Sequence, residues 1–196
     1  MLCRYPGEVT DVLIRPARPF DAAFAVPLIQ ATIGRIGYAL TGVTDDVAAE
    51  RTLLGFYPLR GNRLSFEHQF IAQSPTGEPL GLILAYPGEH AEALDDPFRE
   101  RLHALGLPGR IESEGTPGEL YVDTLAVTEA ARGQGIGARL LDAAVERAAT
   151  LGLHQVGLLV EDGNPAARLY ARKGFRPAGT RALAGGTYTH LVRDVG

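Results

Sequence analysis

The sequence predicts a single α/β domain, and three observations lead to this prediction. Short apolar segments of strand character alternate along the chain with segments whose apolar residues recur at helical spacing. A polar link at residues 74–78, with the sequence SPTGE, joins two of the apolar segments and is typical of a strand hairpin. The 196 residues contain no internal repeat and no linker-like stretch, so one domain spanning residues 1–196 is expected.

The first part of the chain predicts three strands and two helices. Strands are expected at residues 12–17, 64–72 and 80–86. Asp21 is placed to cap a first helix, whose apolar residues are Phe24, Leu28 and Ile29. A second helix is expected over residues 45–56, with the apolar residues Val47, Leu53 and Leu54.

The connection at residues 87–118 is longer than a simple hairpin requires. Its apolar residues Phe98, Leu102 and Leu105 predict an inserted helix, while residues 112–118 are polar and rich in turn formers. Connections of this length are often lids, substrate walls or dimer contacts.

Residues 119–160 predict a strand, a helix and a second strand. The strands are expected at residues 119–127 and 154–160, and the helix at residues 135–151 with Gly152 as its cap. The helix has one apolar face, on which residues recur at every fourth position: Ile136, Leu140, Ala144 and Ala148.

The end of the chain predicts a short helix and a final pair of strands. Asn164 is placed to cap the helix, Pro165 suits its first position and Gly174 ends it. Arg181 and residues 188–194 are expected to belong to the closing strand pair.

Residues 132–138, with the sequence RGQGIGA, form the most distinctive motif. They follow a predicted strand and open a predicted helix. Closely spaced glycines let the backbone turn tightly and approach a ligand. Free N–H groups at a helix start, together with the positive end of the helix dipole, favour a phosphate or pyrophosphate.

The same glycines also match the dinucleotide fingerprint GxGxxG/A, and the strand that follows ends in the acidic residues Glu161 and Asp162. In a dinucleotide-binding fold, however, the first glycine follows the strand almost directly, whereas residues 128–132 intervene here. The motif lies in the last third of the chain, and too few residues follow Asp162 to complete a doubly wound sheet. A dinucleotide-dependent oxidoreductase is therefore the weakest alternative.

Three segments together resemble the GNAT superfamily of acyl-CoA N-acyltransferases. They are Leu-Ala-Val at residues 125–127, RxxGxG at residues 132–137, and NPAARLYxxxGF at residues 164–175. The resemblance is clear over residues 119–176. It implies a GNAT-like α/β fold, with a mixed and mostly antiparallel central sheet of six or seven strands flanked by helices.

The resemblance also implies acetyl-CoA as co-substrate. Its pantetheine arm would lie along the strand at residues 125–127, in a gap where this strand splays from the next, with the Val127 N–H at the developing oxyanion. Its pyrophosphate would lie on the loop, where nearby basic side chains suit the phosphates. The expected cofactor-binding residues are Leu125, Ala126, Val127, Arg132, Gly133, Gln134, Gly135, Ile136, Gly137, Ala138, Asn164, Ala167, Tyr170 and Lys173.

Tyr170 is the principal catalytic candidate, because the family carries a general-acid tyrosine at this point of the last helix. Loss of a thiolate from the thioester requires a proton donor, and a positioned phenol can supply the proton. The alternative is a packing role beside Leu169 and Phe175.

The attacking amine is mostly protonated at neutral pH and needs a base. Asp123 and Glu119 alternate with Tyr121 on one face of the strand and are the candidates, although each also suits a structural role. Four further side chains are candidates for the acceptor pocket, but the sequence does not place them: Glu67, Tyr86, Tyr188 and His190.

Composition excludes several other classes of protein. The net charge of −4 and the absence of a basic run argue against a nucleic-acid partner. No apolar run approaches the ~20 residues of a membrane helix, and the first residues lack a signal-peptide core, so a cytoplasmic protein is expected. Cys3, the single cysteine, is a poor nucleophile candidate, and no histidine or cysteine spacing predicts a metal.

The sequence thus predicts an N-acetyltransferase that transfers an acetyl group from acetyl-CoA to a primary amine by direct attack. The acceptor, a small molecule or a peptide, is not identified by the sequence. Because many members of the family dimerise, the resemblance also allows a homodimer. The main alternative is a non-catalytic acyl-CoA sensor, which would need neither Tyr170 nor the polar strand face.

Overall fold

The computed structural model describes residues 11–183 and 185–196, so Cys3 lies outside the described residues. The strands are β1 (Leu13–Pro16), β2 (Gln69–Gln73), β3 (Pro79–Pro87), β4 (Glu119–Val127), β5 (Gln155–Glu161), β6 (Arg176–Leu183) and β7 (Gly186–Asp194). The helices are α1 (Ala22–Ile33), α2 (Arg35–Thr41), α3 (Asp46–Phe56), α4 (Ala91–Ala104), α5 (Ile136–Thr150) and α6 (Ala167–Arg172). Within the described ranges no single helix is long and apolar enough to cross a membrane; α1 with its preceding turn and α2 meet that test together, as a pair bent by 112°.

The seven strands form one mixed sheet in the order β1-β2-β3-β4-β5-β7-β6. Neighbouring strands are antiparallel except β4 and β5, which are parallel. This arrangement, with helices on both faces, confirms the predicted fold class. A doubly wound dinucleotide-binding sheet is mostly parallel, so the dinucleotide interpretation is wrong.

Strand β4 divides the core into two clusters, because its side chains alternate between the faces of the sheet. Leu120 and Val122 pack in a cluster with Leu140 of α5. Tyr121 points to the opposite face and packs in a second cluster with Phe98 of α4. Burial on both faces fixes the position of β4 between two layers of helices.

Strand β4 also carries a β-bulge at Asp123. The flanking residues Val122 and Thr124 pair with consecutive residues of β3, which leaves Asp123 without a partner in the ladder. A bulge shifts the alternation of side chains by one residue. Leu125 therefore packs on the α5 face, whereas uninterrupted alternation would place it on the face of Tyr121.

Residues 64–68 form a turn instead of the first half of a strand, and β2 begins at Gln69. The Ser65 hydroxyl accepts a hydrogen bond from the Glu67 N–H, and the Gln69 side chain donates to the Leu64 carbonyl. Such local side-chain bonds offer the backbone an alternative to the sheet ladder, which explains why the predicted strand is shorter.

Two predicted helix caps act differently in the structure. The Asp21 carboxylate makes no side-chain bond to the start of α1; it accepts the Arg18 N–H and pairs with Arg15. The Asn164 side chain accepts the Ala166 N–H, so Asn164 belongs to a turn in front of α6.

Helix α2 is absent from the sequence prediction, because three glycines lower the helix propensity of this region. The structure explains one of them: a Cβ at Gly37 would lie 2.0 Å from the amide oxygen of Gln30 on α1. In α3, Leu53 is buried as expected, but Val47 and Leu54 are 67% and 42% exposed.

The predicted insertion contains α4 and ends in a loop that lies against the start of the insertion. Gly88 lies beneath Thr116, and a Cβ at Gly88 would be 2.0 Å from the Thr116 carbonyl oxygen. A Cβ at Gly115 would likewise be 2.6 Å from the Gly88 Cα. Backbone packs directly on backbone here, which fixes the loop at residues 112–118 over the sheet.

We expect Gly88→Ala to lower the free energy of unfolding by about 1–3 kcal/mol, because the methyl group displaces backbone atoms that have no rotamer to adjust. Urea unfolding measures this change. Gly55→Ala is the matched control: it lies in α3 with open space where the new methyl group would point, and we expect a gain of about 0.5–1 kcal/mol. Equal stability of Gly88→Ala and the parent protein would contradict the close contact.

Candidate active site

Strands β4 and β5 pair over four residues, and the last pair is Val122 with Leu158. Both strands continue beyond this pair, so a gap opens between them. The Thr128 N–H donates to β3, and antiparallel alternation then directs the N–H and C=O groups of Leu125 and Val127 away from β3. These backbone groups face the gap, where an extended amide-bearing chain can pair with them.

The RGQGIGA loop lies at one end of the gap. Gly133 and Gly135 both have φ of 77°, a backbone conformation that favours glycine, and they turn the chain into α5. The first intrahelical bond shown there runs from the Arg139 N–H to the Gly135 carbonyl, so the N–H groups of residues 136–138 have no helical partner. A Cβ at Gly137 would lie 3.1 Å from Leu169, so a small residue lets α6 approach α5.

The loop residues line a groove that fits a diphosphate. Its sides include Val127, Ala138 and Arg132, and the groove extends to Arg172 on α6. Free N–H groups, the positive end of a 15-residue helix and two arginines all favour negative charge at this position. Arg172 is one of the basic side chains that the sequence clusters near the loop, although it is not among the cofactor-binding residues named above.

The gap continues from this groove as two adjoining cavities. The outer cavity, of about 690 Å³, is lined by Val127, Arg132 and Asn164 among others. The inner cavity, of about 340 Å³, shares Leu125 and Asn164 with it and reaches Tyr170. Together the groove and the cavities form one cleft, which we call the β4–β5 cleft.

Tyr170 lies at the inner cavity and is 9% exposed. Its ring packs edge-to-face on Phe175, with 5.9 Å between ring centroids. Burial raises the pKa of the Tyr170 phenol to about 12, so the hydroxyl remains protonated across the physiological range. The residue therefore combines the packing role with a hydroxyl at the cleft.

The far wall of the inner cavity is acidic and aromatic. It includes Glu114, Asp123 and Glu161, together with Tyr121 and Tyr188. Of the four candidates that the sequence did not place, Tyr188 lines the pocket. The other three lie elsewhere: Glu67 in a separate cavity, Tyr86 behind Asp123 and His190 beside Glu119.

A fully buried arginine, Arg63, organises the acidic wall. Its guanidinium donates to Asp95 on α4, to Glu114 in the loop and to Asp123 at the bulge. Burial acts to lower the pKa of Arg63, but the surrounding carboxylates and Tyr86 hold that pKa well above its usual range. The guanidinium thus remains charged and links three distant segments.

Asp123 and Glu114, the two carboxylates of the acidic wall that accept from Arg63, differ in their other hydrogen bonds. The Asp123 carboxylate accepts from Arg63, from the Tyr86 hydroxyl at 3.0 Å and from the Thr124 hydroxyl at 3.1 Å. The Glu114 carboxylate accepts from Arg63 and from the Tyr121 hydroxyl at 2.7 Å. Burial raises the pKa of Glu114 although Arg63 acts to lower it, so this carboxyl binds a proton more readily than an exposed one.

The structure does not bring every predicted residue to the cleft. The Glu119 carboxylate is buried beneath the loop, 2.9 Å from His190 Nε2, and accepts the Thr116 N–H. Lys173 pairs with Asp142 on α5. Ala167 is exposed, and its neighbour Ala166 lines the cavities instead.

The fold and the cleft define the class of protein. Residues 44–175 match the acetyltransferase (GNAT) family, which covers two thirds of the chain, so this chain belongs to that family. A solved structure described as an acetyltransferase is 33% identical, with a TM-score of 0.74, and the match covers 94% of this chain and 100% of that one. An N-acetyltransferase from Staphylococcus aureus has the same fold, with a TM-score of 0.74 at 23% identity over 92% of this chain and 100% of that one.

Two curated relatives are both mycothiol acetyltransferases. The protein of Geodermatophilus obscurus is 32% identical over 176 residues, which is 88% of this chain and 54% of the relative. The protein of Mycobacteroides abscessus is 38% identical over 112 residues, which is 57% of this chain and 34% of the relative. The chain thus spans about half the length of the first relative and about a third of the second.

We expect Arg63→Met to lower the free energy of unfolding by about 3–5 kcal/mol, because it leaves buried carboxylates without their counter-ion. The cost should shrink as the pH falls. Burial raises the pKa of Asp95 and Glu114, and Arg63 acts to lower both, so removing Arg63 raises these pKa values further in the folded variant. As the pH falls through that range, the folded variant takes up protons before the parent does and gains stability relative to it.

Denaturant unfolding at a series of pH values measures both effects. Arg60→Met is the matched control, because Arg60 forms an exposed ion pair with Glu67 and should change stability little. If Arg63→Met lowered the free energy of unfolding by the same amount at every pH, Arg63 would not be the counter-ion that stabilises these buried carboxylates.

Proposed function

We propose that this protein transfers an acetyl group from acetyl-CoA to a primary amine by direct attack. The observation that carries the proposal is the β4–β5 cleft, which joins a diphosphate-compatible loop, free strand amides and the Tyr170 hydroxyl in one continuous space. Membership of the acetyltransferase (GNAT) family supports the same reaction.

Three parts of the chain would bind acetyl-CoA, which supplies a thioester-activated acetyl group when bound. The N–H groups of residues 136–138, with Arg132 and Arg172, would hold the diphosphate. The backbone of Leu125 and Val127 would pair with the amides of the pantetheine arm, and Asn164 would bind the arm from the opposite side. The Val127 N–H would stabilise negative charge on the carbonyl oxygen.

Tyr170 would donate the proton that the departing sulfur requires. A phenol held against the sulfur can donate a hydrogen bond to it, and a proton as the carbon–sulfur bond breaks. The raised pKa of about 12 keeps this hydroxyl protonated before reaction. Tyr170 therefore carries its proton throughout the physiological pH range.

Glu114 would accept the proton that the amine loses. It lines the inner cavity, and its raised pKa makes it a stronger base than an ordinary carboxylate. Asp123, the candidate from the sequence, is held by Arg63 and two hydroxyl groups and would position Arg63 and thereby Glu114. Glu119 does not line the cavity, so we give it no role in proton transfer.

We expect Tyr170→Phe to lower kcat by about 100-fold or more, with little change in the affinity for acetyl-CoA, because the phenol acts when the sulfur leaves. Thiol release with an amine panel measures kcat, and calorimetry measures binding. Tyr57→Phe is the matched control: it removes another buried phenol hydroxyl, outside the residues that line the cleft, and should leave kcat unchanged. Full activity of Tyr170→Phe across the pH range would remove Tyr170 from the mechanism.

We expect Glu114→Gln to lower kcat/KM and to weaken its decline at acidic pH. A base with a raised pKa is active above that pKa and is lost by protonation as the pH falls through it, so the parent enzyme should show an acidic limb that the variant lacks. Circular dichroism checks that the variant is folded. Glu89→Gln, at an exposed glutamate, is the control; an unchanged acidic limb in Glu114→Gln would assign the base elsewhere.

A further inference from the structure

We propose that the acceptor is a small cationic amine that carries a second positive charge, such as an alkyl diamine. This inference rests on the proposed function, because it concerns the acceptor end of the same cleft. It is drawn from the charges and shape of the inner cavity.

The inner cavity is lined by carboxylates without lining cations. Glu114, Asp123 and Glu161 contribute to its wall, and none of the described residues that line it is lysine, arginine or histidine. Arg63 balances part of this charge from behind the wall, but it is 1% exposed and its donors are directed at Asp95, Glu114 and Asp123. The surface that a ligand meets is therefore negative.

The carboxylates of Glu114 and Glu161 line the inner cavity together with Tyr188. Glu161 is the cross-strand partner of Tyr188. Burial and the charges of both glutamates raise the pKa of the Tyr188 phenol, while Arg35 on α2 acts to lower it. Glu114 is 5% exposed, whereas Glu161 is exposed at the end of β5, and no cation pairs with it in the described part of the chain. One carboxylate thus lies inside the cavity and another at its mouth.

Another part of the lining is mainly apolar. It comes from the end of α1 and the start of α2, including Ala31, Ile33 and Ile36. A volume of about 340 Å³ is near the lower end for small-molecule pockets, which are about 300–1,000 Å³. Apolar side chains together with separated carboxylates suit a short methylene chain with an ammonium group at each end, one bound by Glu114 and one by Glu161.

Charge is the property to vary, so the test uses three amines with the same four-carbon chain. They are putrescine with two ammonium groups, butylamine with one, and γ-aminobutyrate with a carboxylate at the far end. We expect kcat/KM for acetyl-CoA-dependent thiol release to fall in that order, by about fivefold or more at each step. The differences should shrink at high salt, because exposed charges are screened.

Glu161→Gln is the specific variant, and we expect it to reduce the ratio of kcat/KM for putrescine to that for butylamine by about fivefold. Asp162→Asn is the matched control. It removes the neighbouring carboxylate, which accepts a hydrogen bond from Thr189 and does not line the cavity, and it should preserve the ratio. A preference for putrescine that depends on Glu161 and not on Asp162 supports the proposal.

Two other outcomes separate this proposal from the proposed reaction. Turnover without a preference for putrescine, or with a preference for butylamine or γ-aminobutyrate, overturns the diamine acceptor and leaves acetyl transfer intact. If no amine releases thiol, calorimetry with putrescine decides: binding that Glu161→Gln weakens retains the cationic pocket and overturns acetyl transfer, whereas the absence of binding overturns the cationic pocket as well.

Discussion

The buried guanidinium of Arg63 is the interaction on which the acidic wall of the inner cavity depends. It joins α4, the loop before β4 and the bulge in β4 through Asp95, Glu114 and Asp123. Burying three carboxylates close together is costly unless a charged partner and hydrogen bonds compensate them. Because Arg63 supplies that charge, the chain can place acidic side chains beside a cavity and still remain folded.

The part of the cleft to which we assign the cofactor depends on backbone geometry. Strands β4 and β5 separate after Val122 and Leu158, which exposes backbone amides of β4. The glycine loop likewise exposes the first N–H groups of α5. The strand groups have fixed directions because β4 remains paired with β3 as far as Val127. The two sides meet at Tyr170 on the short helix α6, whose ring packs on Phe175 and which lines the inner cavity. In the proposed reaction, main-chain groups with fixed directions would bind the cofactor, and charged side chains, which can vary, would contact the acceptor.

Most of the fold could be predicted from local patterns in the sequence. The strand at residues 119–127 and the helix that follows were predictable because their apolar periodicity is strong and glycines mark the boundary. The turn at residues 64–68 was not, because hydrogen bonds from Ser65 and Gln69 override a strand-like composition. The acidic wall could not be predicted from the sequence either. Arg63 bonds to Asp123, 60 residues further along the chain, and no local pattern distinguishes this arginine from the other basic residues. Glu114 lies in a polar loop whose contact with the sheet depends on Gly88 and Gly115.

The bulge at Asp123 reverses the alternation of side chains along β4, so that positions of the same parity face different layers before and after it. Upstream of it, Tyr121 belongs to the layer that holds the acidic wall; downstream, Leu125 belongs to the layer of α5. A substitution on one face of β4 therefore need not disturb the layer on the other face. A lineage with this architecture can change the acidic lining of the inner cavity while it keeps the glycine loop and the strand amides to which we assign the cofactor, and a protein engineer can use the same division to vary the acceptor that we propose.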